Sequence, residues 1–477
     1  MVAVETLQQE LAAIVGADKV FSPTQARREY ANDQWWYAIA AAAAGVPISV
    51  PDAAVRPSTT EEVAAVVRLA NRLRVPITPW GGGSGVQGAS NADRGGIVLD
   101  LRGMQAVRSV DEQSLTAVVE AGLSCRDFEA LMNKRGLSFT HYPASTEWAT
   151  IGGSIGARGS GVLSTKYGKI EEHVLSVEWV TPTGEIVTTP SVPRHAAGPE
   201  LTQLLVGAEG IFGIITAATV KLHGLPTARA FRVFAFDDLE AGIEAGRAIM
   251  TTGLKPPVLR LYDLPAASHS LARAVETPFN TPVMVMMFDG HYPELVELEA
   301  NIAARLCVEE GGQPLPGSIG ELWWERRYVF YYPPYAPELP SIWGTIDVVA
   351  DFTHISAVYH ETTRAIHAAC PPEYKLSLTT HFSHWYEWGS MIYARMKVPV
   401  GPPKLEDAKA LHDAIFRAGV EAAMKAGAVL NDHHGVGMRL APYMVDQYGD
   451  AGMQAMARIK SALDPNGIMV PGKLGLG

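Results

Sequence analysis

Gly83, Gly85 and Gly88 spell G-x-G-x-x-G, yet only ASNADRGG separates Gly88 from the apolar run that opens at Ile97. In a Rossmann unit the third glycine opens a helix that crosses over to the next parallel strand. A whole crossover takes at least ~10–12 residues, and this segment is short, polar and turn-like. A Rossmann domain is excluded, and with it a simple nicotinamide dehydrogenase. What remains is a glycine loop behind a short strand, VPITPW, whose backbone N–H groups are free to converge. Such a nest holds a pyrophosphate without needing a lysine. Two further loops share the character: Thr150 to Gly161 (TIGGSIGARGSG) and Gly207 to Gly213 (GAEGIFG). Close approach of backbone to a large, flat, phosphate-bearing cofactor explains all three together.

The rest of the chain reads as alternating helices and strands. Residues 1–50 look helical and then looped. The segment RPSTTEEVAAVVRLANRLRVPITPW offers Ser58 or Thr59 as an N-cap, acids in the first turn and apolar residues at helical spacing. Up to about residue 222, β-rich runs such as VLSVEWVTPTGEIVT and GIITAATVKL alternate with short helices. From about 225 to 430 the glycine loops stop, and helices such as LEAGIEAGRAIMTTG alternate with strands such as PVMVMMFDG and SIWGTIDVVADF. The fold class is α+β in two domains, in line with 477 residues.

Composition narrows the function. Lys plus Arg is 39 and Asp plus Glu is 50, a net charge of −11. That balance argues against DNA or RNA, where phosphate neutralisation supplies most of the affinity. Cys125, Cys307 and Cys370 are widely spaced and form no CxxC or disulfide framework, which points to a reducing compartment. Residues 1–16 lack the basic start and apolar block of a signal peptide. The apolar run Ala38 to Ala44 falls far short of the ~20 residues that span a bilayer, and the C-terminal LGLG is not a peroxisomal SKL. A cytoplasmic protein without a membrane span is expected.

The ordered set RPSTTEEV, PITPWGGGSGVQG, PASTEWATIGGSIGARGSG and EGIFGIIT, closed by DPNGIMVPGK, resembles the FAD-binding PCMH-type (vanillyl-alcohol-oxidase) flavoprotein superfamily. The resemblance covers nearly the whole chain. It implies a non-Rossmann FAD-binding domain over 1–225, with its PCMH-type core at about 51–225 and its completion at 431–477. A cap, or substrate, domain would occupy 226–430. It further implies that Pro79, Trp80 and the loop of Gly81, Gly82, Gly83, Ser84, Gly85, Val86 and Gly88 surround the pyrophosphate. Pro143, Ala144, Ser145 and Thr146 would line the flavin, as would Thr150, Gly152, Gly153, Ser154 and Gly156. Ala157, Ser160, Gly161, Tyr167, Glu209, Gly210 and Gly213 extend the cofactor set, and Ile214 and Ile215 lie toward the adenine. Some relatives carry a flavin-linking histidine within the first glycine loop; this loop has none, so non-covalent FAD is expected.

Within that superfamily the nearest look is to alkylglycerone-phosphate synthase and its bacterial relatives, carried by the run from Ala157 to Ile186, then LRLYD, WGSMIY and HHGVG. Glycolate oxidase and D-lactate dehydrogenase proteins share the architecture. Eight of the 14 histidines fall between His354 and His434. His434, with His433 beside it, is the candidate general base or acid, because histidine titrates near neutral pH. The synthase family carries three consecutive histidines there; here the first is Asp432, which could orient a neighbouring imidazole. The resemblance makes Tyr393 the catalytic tyrosine and Arg260 the residue that holds an anionic substrate group. His381 stands where the synthase has a second substrate-site arginine, which weakens the case for a phosphate substrate. His381 and His384, three apart on a strand, should point to opposite faces unless the strand is bulged. A metal held by some combination of His381, His433 and His434 is left unassigned, since the HGDGN-like run of metal-using relatives is not reproduced.

Two aromatic groups stand out: Trp323, Trp324, Tyr328, Phe330, Tyr331, Tyr332 and Tyr335, then Trp385, Tyr386 and Trp388. They form either core or an apolar pocket. The expected activity is oxidation of a 2-hydroxy acid or related, including aromatic, alcohol by hydride transfer to flavin N5. A synthase-like transferase without net redox, and a flavin subunit of a multi-chain oxidase, are the alternatives. The substrate is a small molecule; the electron acceptor and a homodimer are left open.

Overall fold

The computed structural model describes residues 3–192, 195–328 and 338–476. Phe330, Tyr331, Tyr332 and Tyr335 of the first aromatic group lie outside the described residues. The chain divides into two compact units: residues 1–160, 169–224 and 433–477 form one, and residues 161–168 and 225–432 the other. Among the described residues no helix is long and apolar enough to cross a membrane.

The first unit is built on two sheets. One has the order Val20–Phe21, Ala53–Val55, Ile97–Asp100, Ile77–Trp80. Ala53–Val55 and Ile77–Trp80 both run parallel to Ile97–Asp100. The link from Ala53–Val55 to Ile77–Trp80 is the helix Thr60–Leu73, whose N-cap Thr59 accepts a 3.1 Å hydrogen bond from the Glu62 N–H. It buries Val63, Val66, Val67 and Ala70 in the core. The link from Ile77–Trp80 to Ile97–Asp100 carries no helix, as the spacing after Gly88 requires. The second sheet is antiparallel, in the order Val107–Asp111, Thr116–Glu120, Ile214–Lys221, Val174–Val180, Ile186–Thr188. Its inner side chains, Val119, Val177 and Ala218 among them, join those of the first sheet in one core.

The second unit is an antiparallel sheet of eight strands. Its order is Gln313–Leu315, Ala228–Ala235, Val283–Gly290, Val258–Tyr262, Ser377–Tyr386, Gly389–Val398, Ile342–Asp351, Val429–Leu430. Period-two alternation assigns its faces. Met284, Leu261, Phe382, Ile392 and Val348 oppose one another across the strands and share one face. Helices cover it. Gly242 and Gly246 of the helix Leu239–Thr251 lie so close to Leu261 and Trp385 that a Cβ would stand 2.7 and 2.3 Å from them. Gly419 of the helix Leu405–Lys425 approaches Ile346 in the same way. The opposite face carries Tyr262, His381, Tyr393 and Asp347 in one cross-strand row.

Candidate active site

In the first unit the three glycine runs converge. The strand Ile77–Trp80, with Pro79 and Trp80 at its end, delivers the loop that begins at Gly81. A Cβ on Gly82 would sit 1.7 Å from the Trp148 carbonyl oxygen, and one on Gly81 2.5 Å from Thr150 Oγ1. Pro143, Ala144, Ser145 and Thr146 form the turn that leads to Trp148, closed by the Thr146 N–H on the Pro143 carbonyl at 3.0 Å. Thr150 caps the helix Ile151–Gly156, its Oγ1 accepting from the Gly153 N–H. Gly152 is pressed on Ala121, and Ser154 of the same helix is buried. The third run is tied to both others: the Glu209 N–H donates to the Gly156 carbonyl at 3.0 Å, and a Cβ on Gly210 would strike Pro79. Gly213 leads into the strand Ile214–Lys221, where Ile214 and Ile215 are buried opposite Val180 and Trp179.

Within that arrangement the first loop has unengaged donors. Among the described residues, the backbone N–H groups from Gly81 to Gln87, Ser84, Gly85 and Val86 included, find no acceptor. A run of N–H groups with no side chains on its glycines fits a pyrophosphate. The residues present therefore fit a dinucleotide cofactor, and the loop Gly81 to Gly88 would hold its phosphates. Ala157 and Ser160 continue the second run within this unit. Gly161 and Tyr167 belong to the short segment that packs with the second unit, where the Tyr167 hydroxyl donates to Asp289 at 2.8 Å.

Sequence reasoning missed the charges that hold this loop. Asp33 is fully buried; its carboxylate accepts from the Gly88 N–H at 2.9 Å, the Trp35 N–H at 3.1 Å and Asn91 Nδ2 at 3.2 Å. Burial pushes its pKa up to about 6. Lys473, almost fully buried in the closing segment, donates to the Asn91 carbonyl and pairs with Asp93, and burial lowers its pKa. Glu209, expected along the cofactor, turns its carboxylate to the HHGVG run. It accepts from the Val436 N–H at 2.5 Å and the Gly437 N–H at 2.8 Å. Burial pushes its pKa up to about 7, against the pull of those two hydrogen bonds. The rings of His433 and His434 lie 4.1 Å apart, both half-buried. Lys473 stands within the quoted run DPNGIMVPGK, but nothing in the sequence marked Asp33 or linked Lys473 to Asp93.

In the second unit the strands bring Arg260, His381 and Tyr393 onto one face. The rings of His381 and Tyr393 stack at 4.8 Å, and Tyr262 lies 5.9 Å from His381. Arg260, two residues before Tyr262, has its guanidinium 5.9 Å from the Tyr262 ring and 5.6 Å from the Trp323 ring. Trp323 Nε1 donates to the Tyr262 hydroxyl at 2.7 Å. Half-buried Arg260 makes no hydrogen bond or ion pair with any described residue.

The strand Ser377–Tyr386 is bulged between Ser383 and Trp385, and His384 takes a positive φ of 53° there. The extra residue resets the alternation, so Tyr386 shares the face of His381 despite its odd spacing. Asp432 binds both residues beyond the bulge: its carboxylate meets His384 Nδ1 at 2.8 Å and accepts from the Tyr386 hydroxyl at 2.7 Å. Asp432 thus orients His384, and the Asp432 N–H donates to Asp347. Trp323 and Trp385 are buried, whereas Trp388 is exposed and stacked on Tyr386. His360 pairs with Glu240 on the surface, and the buried His412 bonds its neighbour Asp413, so the histidine cluster of the sequence is not one group in space.

Residues 51–190 match the FAD binding domain, and residues 225–474 match the C-terminal domain of the FAD linked oxidases. The chain is 28% identical to alkyldihydroxyacetonephosphate synthase of Trypanosoma brucei brucei, over 89% of this chain and 73% of that protein. It is 27% identical to the mitochondrial D-lactate dehydrogenase (cytochrome) of Arabidopsis thaliana, over 90% of this chain and 74% of that protein. The solved structure of p-cresol methylhydroxylase with substrate bound superposes with a TM-score of 0.78 at 20% identity, over 99% of this chain and 96% of that one.

Proposed function

This chain belongs to the FAD-linked oxidases, a family of flavin enzymes, and from that premise we propose that it oxidises a 2-hydroxy acid or a related alcohol. FAD binds in the first unit; when bound it supplies the two-electron sink for a hydride from the substrate carbon. The chain's own residues do the rest. Arg260 holds the substrate carboxylate through its forked guanidinium. Tyr393, fixed by its stack on His381, donates a hydrogen bond to the substrate oxygen. His434 takes the hydroxyl proton, with His433 alongside. The first glycine loop offers no histidine for a covalent link, so denaturation should release free FAD.

One observation carries the reading: Arg260 is half-buried between two aromatic faces and has no acidic partner among the described residues. A guanidinium so placed suits an anion that arrives with the substrate. The similarity to D-lactate dehydrogenase supports the same substrate class, and the reducing-compartment cysteines, all three free and buried, support a cytoplasmic setting. The test is anaerobic mixing of the holoenzyme with D-2-hydroxy acids and aromatic alcohols while the flavin absorbance is followed. Bleaching by a hydroxy acid is expected. If no member of the panel reduces the flavin, oxidation is the wrong reaction, and acyl-dihydroxyacetone phosphate becomes the ligand to try.

A further inference from the structure

Arg395 lies two residues beyond Tyr393 on the strand Gly389–Val398 and so projects from the same sheet face. Its cross-strand neighbours are Thr379 and Thr345, neither of them charged. The guanidinium is half-buried, yet it makes no hydrogen bond, ion pair or aromatic contact with any described residue. Other partly buried arginines of this chain are paired: Arg56 and Arg102 with Asp100, Arg232 with Glu297. Of the charged groups on this face, Asp347 sits across from Tyr393 and accepts the Asp432 N–H, Asp351 at the end of that strand pairs with His354, Asp289 lies opposite Arg229 and bonds Lys166 and Tyr167, and Lys397 follows Arg395. Arg260 and Arg395 are therefore two cations on one face without an acid between them to neutralise either.

Their placement is informative. Arg260 lies two residues to one side of the Tyr262–His381–Tyr393 row and Arg395 two residues to the other, on strands two apart in the sheet. Strand rise and spacing put their Cα atoms roughly 16 Å apart, and two long side chains reach inward from there. We propose that Arg395 is a specificity residue for a second anionic group, so that the substrate is an elongated hydroxy acid with an anion at each end. The chain between the two anions would lie over the His381–Tyr393 stack. This rests on the reading that this face receives the substrate. His381 in place of a second arginine does not leave the site with one cation, because Arg395 supplies another from the next strand.

Calorimetric titration of the holoenzyme tests this without any redox step. Glutarate, adipate and suberate are compared with monocarboxylates of the same carbon number, and 4-phosphonobutyrate separates a phosphoryl from a carboxyl second group. One length of dianion is expected to bind at least roughly tenfold tighter than its monoanion, as a charge-assisted contact would give. Arg395→Gln should erase that preference, Arg395→Lys should restore part of it, and Arg260→Gln should weaken both classes. Equal binding of dianions and monoanions by the wild type overturns the proposal, as does an Arg395→Gln variant that loses both classes alike. A dianion preference without flavin bleaching would sink the oxidation reading alone; bleaching by hydroxy acids without the preference would sink only the role of Arg395.

Discussion

Glu209→Gln probes the carboxylate that anchors the turn just after His434. Glu209 is buried, and its pKa is raised from 4.5 to about 7 by that burial. The folded-state pKa therefore lies above the unfolded one. Through that window the folded protein keeps a proton that the unfolded chain has already released. The contribution to stability is fully present below about pH 4.5 and is lost as pH rises through about 7. At about 1.4 kcal/mol per pH unit, a gap of that width amounts to about 3 kcal/mol. Glutamine does not titrate and lacks this fall. The amide also sets an NH2 against one of the two N–H donors, but that cost is the same at every pH. Asp33, raised to about 6, titrates in both proteins and largely cancels. The variant should thus gain about 3 kcal/mol on the wild type between pH 4.5 and 8. Melting temperatures of both holoenzymes across that range read the difference as a gap that moves with pH. Parallel curves would refute the reasoning, since they would mean that Glu209 ionises as an exposed carboxylate does.

Two other substitutions test the cradle and the chemistry. Gly82→Ala places a methyl 1.7 Å from the Trp148 carbonyl oxygen, so two backbones must part; a loss of about 1–3 kcal/mol and of bound flavin is expected. Full flavin occupancy with unchanged melting would show that the two loops do not pack as described. His434→Ala should keep its flavin but slow flavin reduction by roughly 10²–10⁴ in stopped-flow traces, and wild-type kinetics would remove His434 from the reaction.

The glycine loops were legible because their signal is local. A fingerprint followed by too few residues for a helix has one reading, and the helix-free link after Gly88 follows from counting. Thr59 as an N-cap is the same kind of inference: cap, first-turn acids and apolar spacing all sit within one helix. The partners of those loops were not legible. Asp33 reaches Gly88 across 55 positions, and Glu209 reaches Gly437 across 228. No periodicity or spacing links residues that only the fold brings together. A buried carboxylate also leaves no mark on its neighbours in sequence, since its acceptors are satisfied by backbone N–H groups that every residue has.

The second unit shows a sharper limit. Alternation predicts that His381 and His384 face opposite ways, and the rule holds for an unbroken strand. It fails here because the strands pair on either side of an irregularity at His384, and one extra residue inverts the parity beyond it. That irregularity depends on how the neighbouring strand Gly389–Val398 is registered, and on Asp432, 48 residues away, which binds both His384 and Tyr386. Arg395 was hidden for the opposite reason. Its position relative to Tyr393 is plain in the sequence, but an arginine on a strand is uninformative until its surroundings are known. What distinguishes it is that no described acid pairs with it, although Asp347 and Asp351 stand on the adjoining strand, and that is a property of the sheet. Charged residues whose partners are present read as structure; those whose partners are missing from the fold point to the ligand.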